Sequence, residues 1–182
     1  AKKPNKPSVP QPADPAADPA PRSRIELSGD DLIFPFDAVP REGFLRGQGH
    51  NRWFLAPARK FKGTNIMRLH AACDLLSFKG TPIRAIADGV LFGPSTHFYV
   101  GTWQLSVVHG PYIVRYGEIL KGSATKSKTV KKGDVIAEVG RMKVDSMLHF
   151  EMYSEGQRRD PLDTHKVKAG TTGRRSDLMD PS

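Results

Sequence analysis

Three stretches of this 182-residue chain place side chains that bind metals or move protons where they could do chemistry: His70 with Asp74, His149, and Glu118. Neutral imidazole and carboxylate are good ligands for Zn²⁺, at distances of about 2.0–2.2 Å. His70 and Asp74 stand four apart in Arg68-Leu69-His70-Ala71-Ala72-Cys73-Asp74-Leu75. That spacing would share a helix face, but Gly80-Thr81-Pro82 and strand-rich neighbours oppose a helix here. An extended chain bent at the small Ala71-Ala72 pair also lets the two side chains converge. Alone, such a pair reads as an ordinary polar contact.

His149 lies in Ser146-Met147-Leu148-His149-Phe150-Glu151-Met152. Strand alternation places Met147, His149 and Glu151 on one face and Leu148, Phe150 and Met152 on the other. A histidine so placed is either a third ligand or a hydrogen-bonded surface residue. Glu118, in Tyr116-Gly117-Glu118-Ile119, is a solvated strand-end residue unless it faces a metal. If it does, it is the type of group that serves as general base in zinc peptidases.

The elements that must position these groups read as strands. Pro82–Ala87, Val90–Phe92, Gln104–Val108, Tyr112–Tyr116, Val135–Val139 and Met147–Tyr153 alternate or run apolar, with Asp88-Gly89 and His109-Gly110 as turns. Short strands punctuated by Gly and Pro predict an all-β, antiparallel sheet domain. No segment carries a sustained helical stripe. Residues 1–24, rich in Pro, Ala and charge, read as a disordered linker suited to an exported protein, residues 25–163 as the folded domain and residues 164–182 as a polar flexible tail. The chain begins at Ala1 rather than Met, which is expected of a processed or trimmed product.

The formal charge of +9 makes an anionic partner plausible: nucleic acid, a membrane face or the bacterial wall. There is no zinc-knuckle spacing, aromatic RNP-like strand or recognition-helix pattern, so no nucleic-acid partner is expected. The clusters at Lys126-Lys128, Lys131-Lys132 and Arg158-Arg159 read as solvated surface. Apolar runs are too short to form a transmembrane helix. The single Cys73 excludes an internal disulfide and leaves the redox compartment open; alternation turns it away from Asp74, as a small buried hydrophobe.

Taken in order, these pieces are familiar. RLHAACDLLSFKGTPIRAIADGVLF at 68–92 resembles the opening motif of lysostaphin/LytM-type zinc metallopeptidases. The hairpin at 107–116, VKKGDVIAEVG at 130–140, LHFEMY at 148–153 and Asp160-Pro161-Leu162 are similar to the motifs that follow, and Trp53-Phe54 with Arg59 to the lead-in of bacterial members. The resemblance implies a small antiparallel β-sheet domain with a zinc groove on one sheet face, and Zn²⁺ held by His70, Asp74 and His149 with a fourth position open to water, as in catalytic sites. It further implies a peptidoglycan endopeptidase, secreted or periplasmic, cutting stem or cross-link peptide bonds. Two family histidines are replaced, by Glu118 and Met147. Glu118 is therefore the candidate catalytic base, and the competing reading is an inactive LytM-like domain that binds wall or regulates another hydrolase. Arg68, Arg115 and Arg141 are expected to engage substrate carboxylates, and His97 to line the groove. His109 either stands in for a missing histidine or is structural, while His50 and His165 are expected at the surface.

Overall fold

The computed structural model describes residues 31–45, 52–60, 67–143, 145–154 and 177–182. Every regular element among them is a strand apart from a single residue in 3₁₀ geometry, and all pairing is antiparallel. No helix among the described residues is long and apolar enough to cross a membrane.

Three long strands form the backbone of the sheet. β7 (Trp103–His109) and β8 (Tyr112–Ile119) make the expected hairpin, and β8 pairs in turn with β11 (Met147–Ser154). The far edge of β11 is shared end to end: β3 (Cys73–Leu76) pairs with its first half and β12 (Leu178–Met179) with its second. The far edge of β7 is shared likewise by β5 (Gly89–Leu91), which also pairs with β9 (Thr129–Val130), and by β6 (Thr96–His97). Two smaller ladders complete the fold, β1 (Pro57–Lys60) with β2 (Met67–Leu69) and β4 (Pro82–Arg84) with β10 (Val135–Glu138).

The period-two pattern decides which face is dry. Cys73 and Leu75 of β3, Val114 and Tyr116 of β8, and Leu148 and Phe150 of β11 point into one hydrophobic cluster. Ile83 and Ile136, from the smaller β4–β10 ladder, join it from across the core. Burial of this apolar surface is the main favourable term in folding. Cys73 is 1% exposed and its thiol is pushed up to about 11 by that burial, so it is an inert core residue. The opposite face of the same three strands carries Asp74, Arg115, His149 and Glu151.

The C-terminal expectation is corrected. Residues 177–182 return to the sheet instead of fraying: Leu178 and Met179 pair with Tyr153 and Met152, the Ser154 amide donates to Asp177 O at 2.9 Å, and Met179 packs on the core. The β ladder and the Met179 side chain hold the segment, a signal hidden by its polar surroundings. The expected linker at 1–24 and all of 164–176 lie outside the described residues, as do His50 and His165.

Candidate metal centre

The bend at Ala71-Ala72 is real. The chain leaves β2 at Leu69, turns through His70–Ala72 and enters β3 at Cys73, with no helix. Asp74 then sits directly opposite His149, which in turn sits opposite Gly117, so three strands run abreast at this level. His70, from the bend, closes over them. One ligand atom from each of His70, Asp74 and His149 lies within 4.8 Å of the other two. Asp74 Oδ1 is 2.7 Å from His149 Nδ1 and 3.1 Å from His70 Nε2, and the two ring nitrogens are 3.3 Å apart.

What surrounds the three residues tests whether they suit a metal. His70 Nδ1–H donates to the Trp53 carbonyl at 3.0 Å, which in the neutral ring leaves Nε2 as the lone-pair atom facing Asp74 and His149. His149 Nε2–H donates to Glu151 Oε1 at 2.9 Å, which leaves Nδ1 facing Asp74. Metal-binding histidines characteristically hand their second ring N–H to a carbonyl or carboxylate, which fixes the tautomer and the ring plane. Both histidines here do so, and the donor set fits Zn²⁺.

Glu151 is held in turn. It is 2% exposed, it accepts from Arg115 Nη1 at 2.9 Å through Oε2, and the same oxygen accepts from the Tyr153 hydroxyl. Burial opposes its charge, but Arg115 and His149 outweigh this and hold the carboxyl down at about 2. Without a metal, burial also opposes a charged His149. Asp74 and Glu151 on either side overcome that and raise it to about 10. Asp74 is kept well below the usual carboxylate range, again against its burial, chiefly by His149. The centre is thus an alternation of acids and bases in which a cation has to displace a proton from His149.

Arg115 is therefore corrected from a substrate contact to a structural cation. At 2% exposure its guanidinium lies under the sheet surface and is committed to Glu151. Charged residues are usually solvated, and the sequence alone offered no reason to except this one. His109 lies on the other side of the sheet: it accepts from the Tyr116 hydroxyl at 2.9 Å, its Nδ1–H donates to Asp88 O at 3.2 Å, and burial pushes it toward the neutral form. It is a core histidine, far from the role of proton carrier. His97 is exposed at the end of β6, and no described hydrogen bond or ion pair joins it to the ligands. Its neighbour Phe98, which the sequence did not single out, stands 5.3 Å from the His149 ring and walls the centre. Arg68 belongs to β2, but its side chain lies outside the described residues.

Glu118 owes its position to a break in register. Trp103 pairs with Ile119 and Gln104 with Gly117, so Glu118 is the extra residue of a β-bulge, at φ +61°. The bulge keeps both Tyr116 and Ile119 in the core; strict alternation would have sent Glu118 there instead. A left-handed non-glycine residue costs on the order of 1–3 kcal/mol and is found where the surroundings impose it. Here the Gly140 amide donates to Glu118 O at 2.8 Å, an approach so close that a Cβ on Gly140 would stand 2.6 Å from that oxygen. Gly117 is equally constrained, since a Cβ would lie 2.9 Å from the Phe98 ring and 3.2 Å from His149 Cβ. The Glu118 side chain is 7% exposed and its Oε2 has no hydrogen-bond partner. Burial pushes it up to about 7, with His149 opposing and Asp74 reinforcing the rise. Met147, where a second histidine would stand, is buried and accepts a 3.8 Å contact from Arg52 Nη1.

An all-β domain with a histidine–aspartate–histidine set oriented from behind by a carbonyl and a carboxylate has the make-up of a metallopeptidase. Peptidase family M23 matches residues 68–161, more than half of the chain, and the chain belongs to that family. Among solved structures it is similar to a zinc-containing peptidase from Vibrio cholerae, with 26% identity and a TM-score of 0.51. That match covers 67% of this chain and 36% of the Vibrio protein, so the chain spans about a third of that relative's length. It is also similar to the catalytic domain of the antimicrobial peptidase lysostaphin from Staphylococcus simulans, with 21% identity and a TM-score of 0.47 over 68% of this chain and 84% of that domain. No curated protein sequence matches the chain.

Proposed function

We propose that the chain is a zinc-dependent endopeptidase that hydrolyses stem or cross-link peptide bonds of bacterial peptidoglycan, working outside the cytoplasm. The observation that carries this reading is the orientation of both histidines by Trp53 O and Glu151, which readies one nitrogen of each for a metal beside Asp74. His70, Asp74 and His149 would hold Zn²⁺, which would supply Lewis-acid polarisation of the scissile carbonyl and lower the pKa of water toward neutrality. Glu118 takes the proton released by the attacking water and delivers it to the leaving amine. Its partnerless carboxylate oxygen and its raised affinity for protons suit both halves of that transfer. Met147 contributes no proton chemistry. The net charge of +9 favours adhesion to an anionic wall.

Digestion of purified sacculi by the zinc-loaded chain tests this. New free amino groups and soluble muropeptides, both suppressed by a chelator, are the expected result. Sacculi that bind the protein but yield no new amines would instead establish an inactive, wall-binding domain.

A further inference from the structure

Where β3 ends and β11 begins, beyond Leu76 and before Met147, the surface opens into a cleft of about 370 Å³ lined by Arg41, Ser77, Phe78, Lys79, Arg141 and Ser146. Its three cations have no acidic partner among the described residues. Arg41 Nη2–H donates to Ser77 O at 3.2 Å and its guanidinium lies 4.8 Å over the Phe78 ring, which orients the group without neutralising it. The acids closest in sequence, Glu42 and Asp145, are drawn to Arg52, at 3.3 and 3.7 Å. Three uncompensated cations around one concavity form a site for an anion, and the flat guanidinium fork suits a carboxylate.

The position of the cleft names the source of that carboxylate. Asp74 pairs with His149 and Leu76 with Met147, and the Ser77 amide donates to Ser146 O at 3.1 Å just past them. At about 3.3 Å per residue, the cleft lies about 10 Å along the strands from the ligands, the span of about three residues of an extended peptide. We infer that Arg41, Lys79 and Arg141 form a subsite for a carboxylate carried by the peptide substrate about three residues from the scissile bond. This rests on the peptidase reading for its choice of ligand, while the charge and shape of the cleft stand without it.

The test uses a soluble muropeptide with free carboxylates and the same muropeptide amidated, with binding measured on the full zinc-loaded chain carrying Glu118→Gln so that neither is cut. The carboxylate form should bind about tenfold tighter. Lys79→Gln with Arg141→Gln should remove that preference while zinc content stays constant, since both side chains are exposed. In the otherwise unaltered enzyme the same pair should raise KM for the acidic substrate and leave kcat alone. Equal binding of the two muropeptides by the parent, or an equal loss of both in the double variant, would overturn the subsite. Selective binding without amine release from sacculi would uphold the cleft and defeat the peptidase reading. Amine release with no carboxylate preference would do the reverse.

Discussion

The two faces of β11 use one stretch of chain for opposite ends. Leu148, Phe150 and Met152 point into the hydrophobic cluster, whereas His149 and Glu151, interleaved with them, build a hydrogen-bonded chain from Asp74 to Arg115. Both faces are largely withdrawn from water, but they tolerate change differently. The apolar face depends on volume, and a smaller hydrophobe leaves it weakened but intact. The polar face depends on each group having its partner, because a buried charge or donor left alone is costly. The difference shows why a metal centre can sit on a sheet this small: the dry face supplies the rigidity, and the polar face spends it on fixing ring orientations.

The largest effect that separates the faces belongs to chemistry alone. Glu118→Gln should keep fold and zinc and lower turnover on sacculi by about two to four orders of magnitude, the usual contribution of general acid–base catalysis. Its pH profile sharpens the assignment. A base acts when ionised, so activity should rise with pH as Glu118 loses its proton; burial raises that point to about 7, and a cation at the ligands, acting as the His149 charge does, moves it lower. The Gln variant should lack this limb. A variant that digests wall as fast as the parent would place the base elsewhere.

On the apolar face, Leu148→Ala should cost about 2–5 kcal/mol, the range for truncating a buried leucine. Its neighbour on the polar side should behave otherwise. Glu151→Gln keeps the shape but loses the charge that orients His149, and outer-sphere partners of this kind are worth about 10–100-fold in metal affinity. Denaturant unfolding and zinc competition on the two variants separate the faces: stability should fall most in the first and metal affinity most in the second. Equal metal affinity in Glu151→Gln and the parent would reduce Glu151 to a counter-ion for Arg115.

Much of this was legible in the sequence where local periodicity carries the information. The long strands and the hairpin follow from alternation and turn residues, the bend at Ala71-Ala72 from its small residues, and the convergence of His70, Asp74 and His149 from the family resemblance. Short strands such as β1, β2, β3, β6 and β9 were not legible. What escaped depends on partners distant in the chain. Glu118 reads as an ordinary strand-end residue until the Trp103–Gln104 pairing shows it to be the extra residue of a bulge. Arg115 looks like surface until Glu151 is found opposite it. Leu178-Met179 looks like tail until the free half of the β11 edge is seen. In each case register, set across strands, overrode what the local residues suggested.

The assigned metal centre is tested most directly by zinc titration. Zinc added to the metal-free chain, in competition with a chromophoric chelator, should saturate at one ion per chain, and His149→Ala should abolish this high-affinity binding while retaining a folded β spectrum. A parent that takes up no zinc, or a His149→Ala variant that binds it as tightly as the parent, would contradict the assignment of His70, Asp74 and His149 as its ligands.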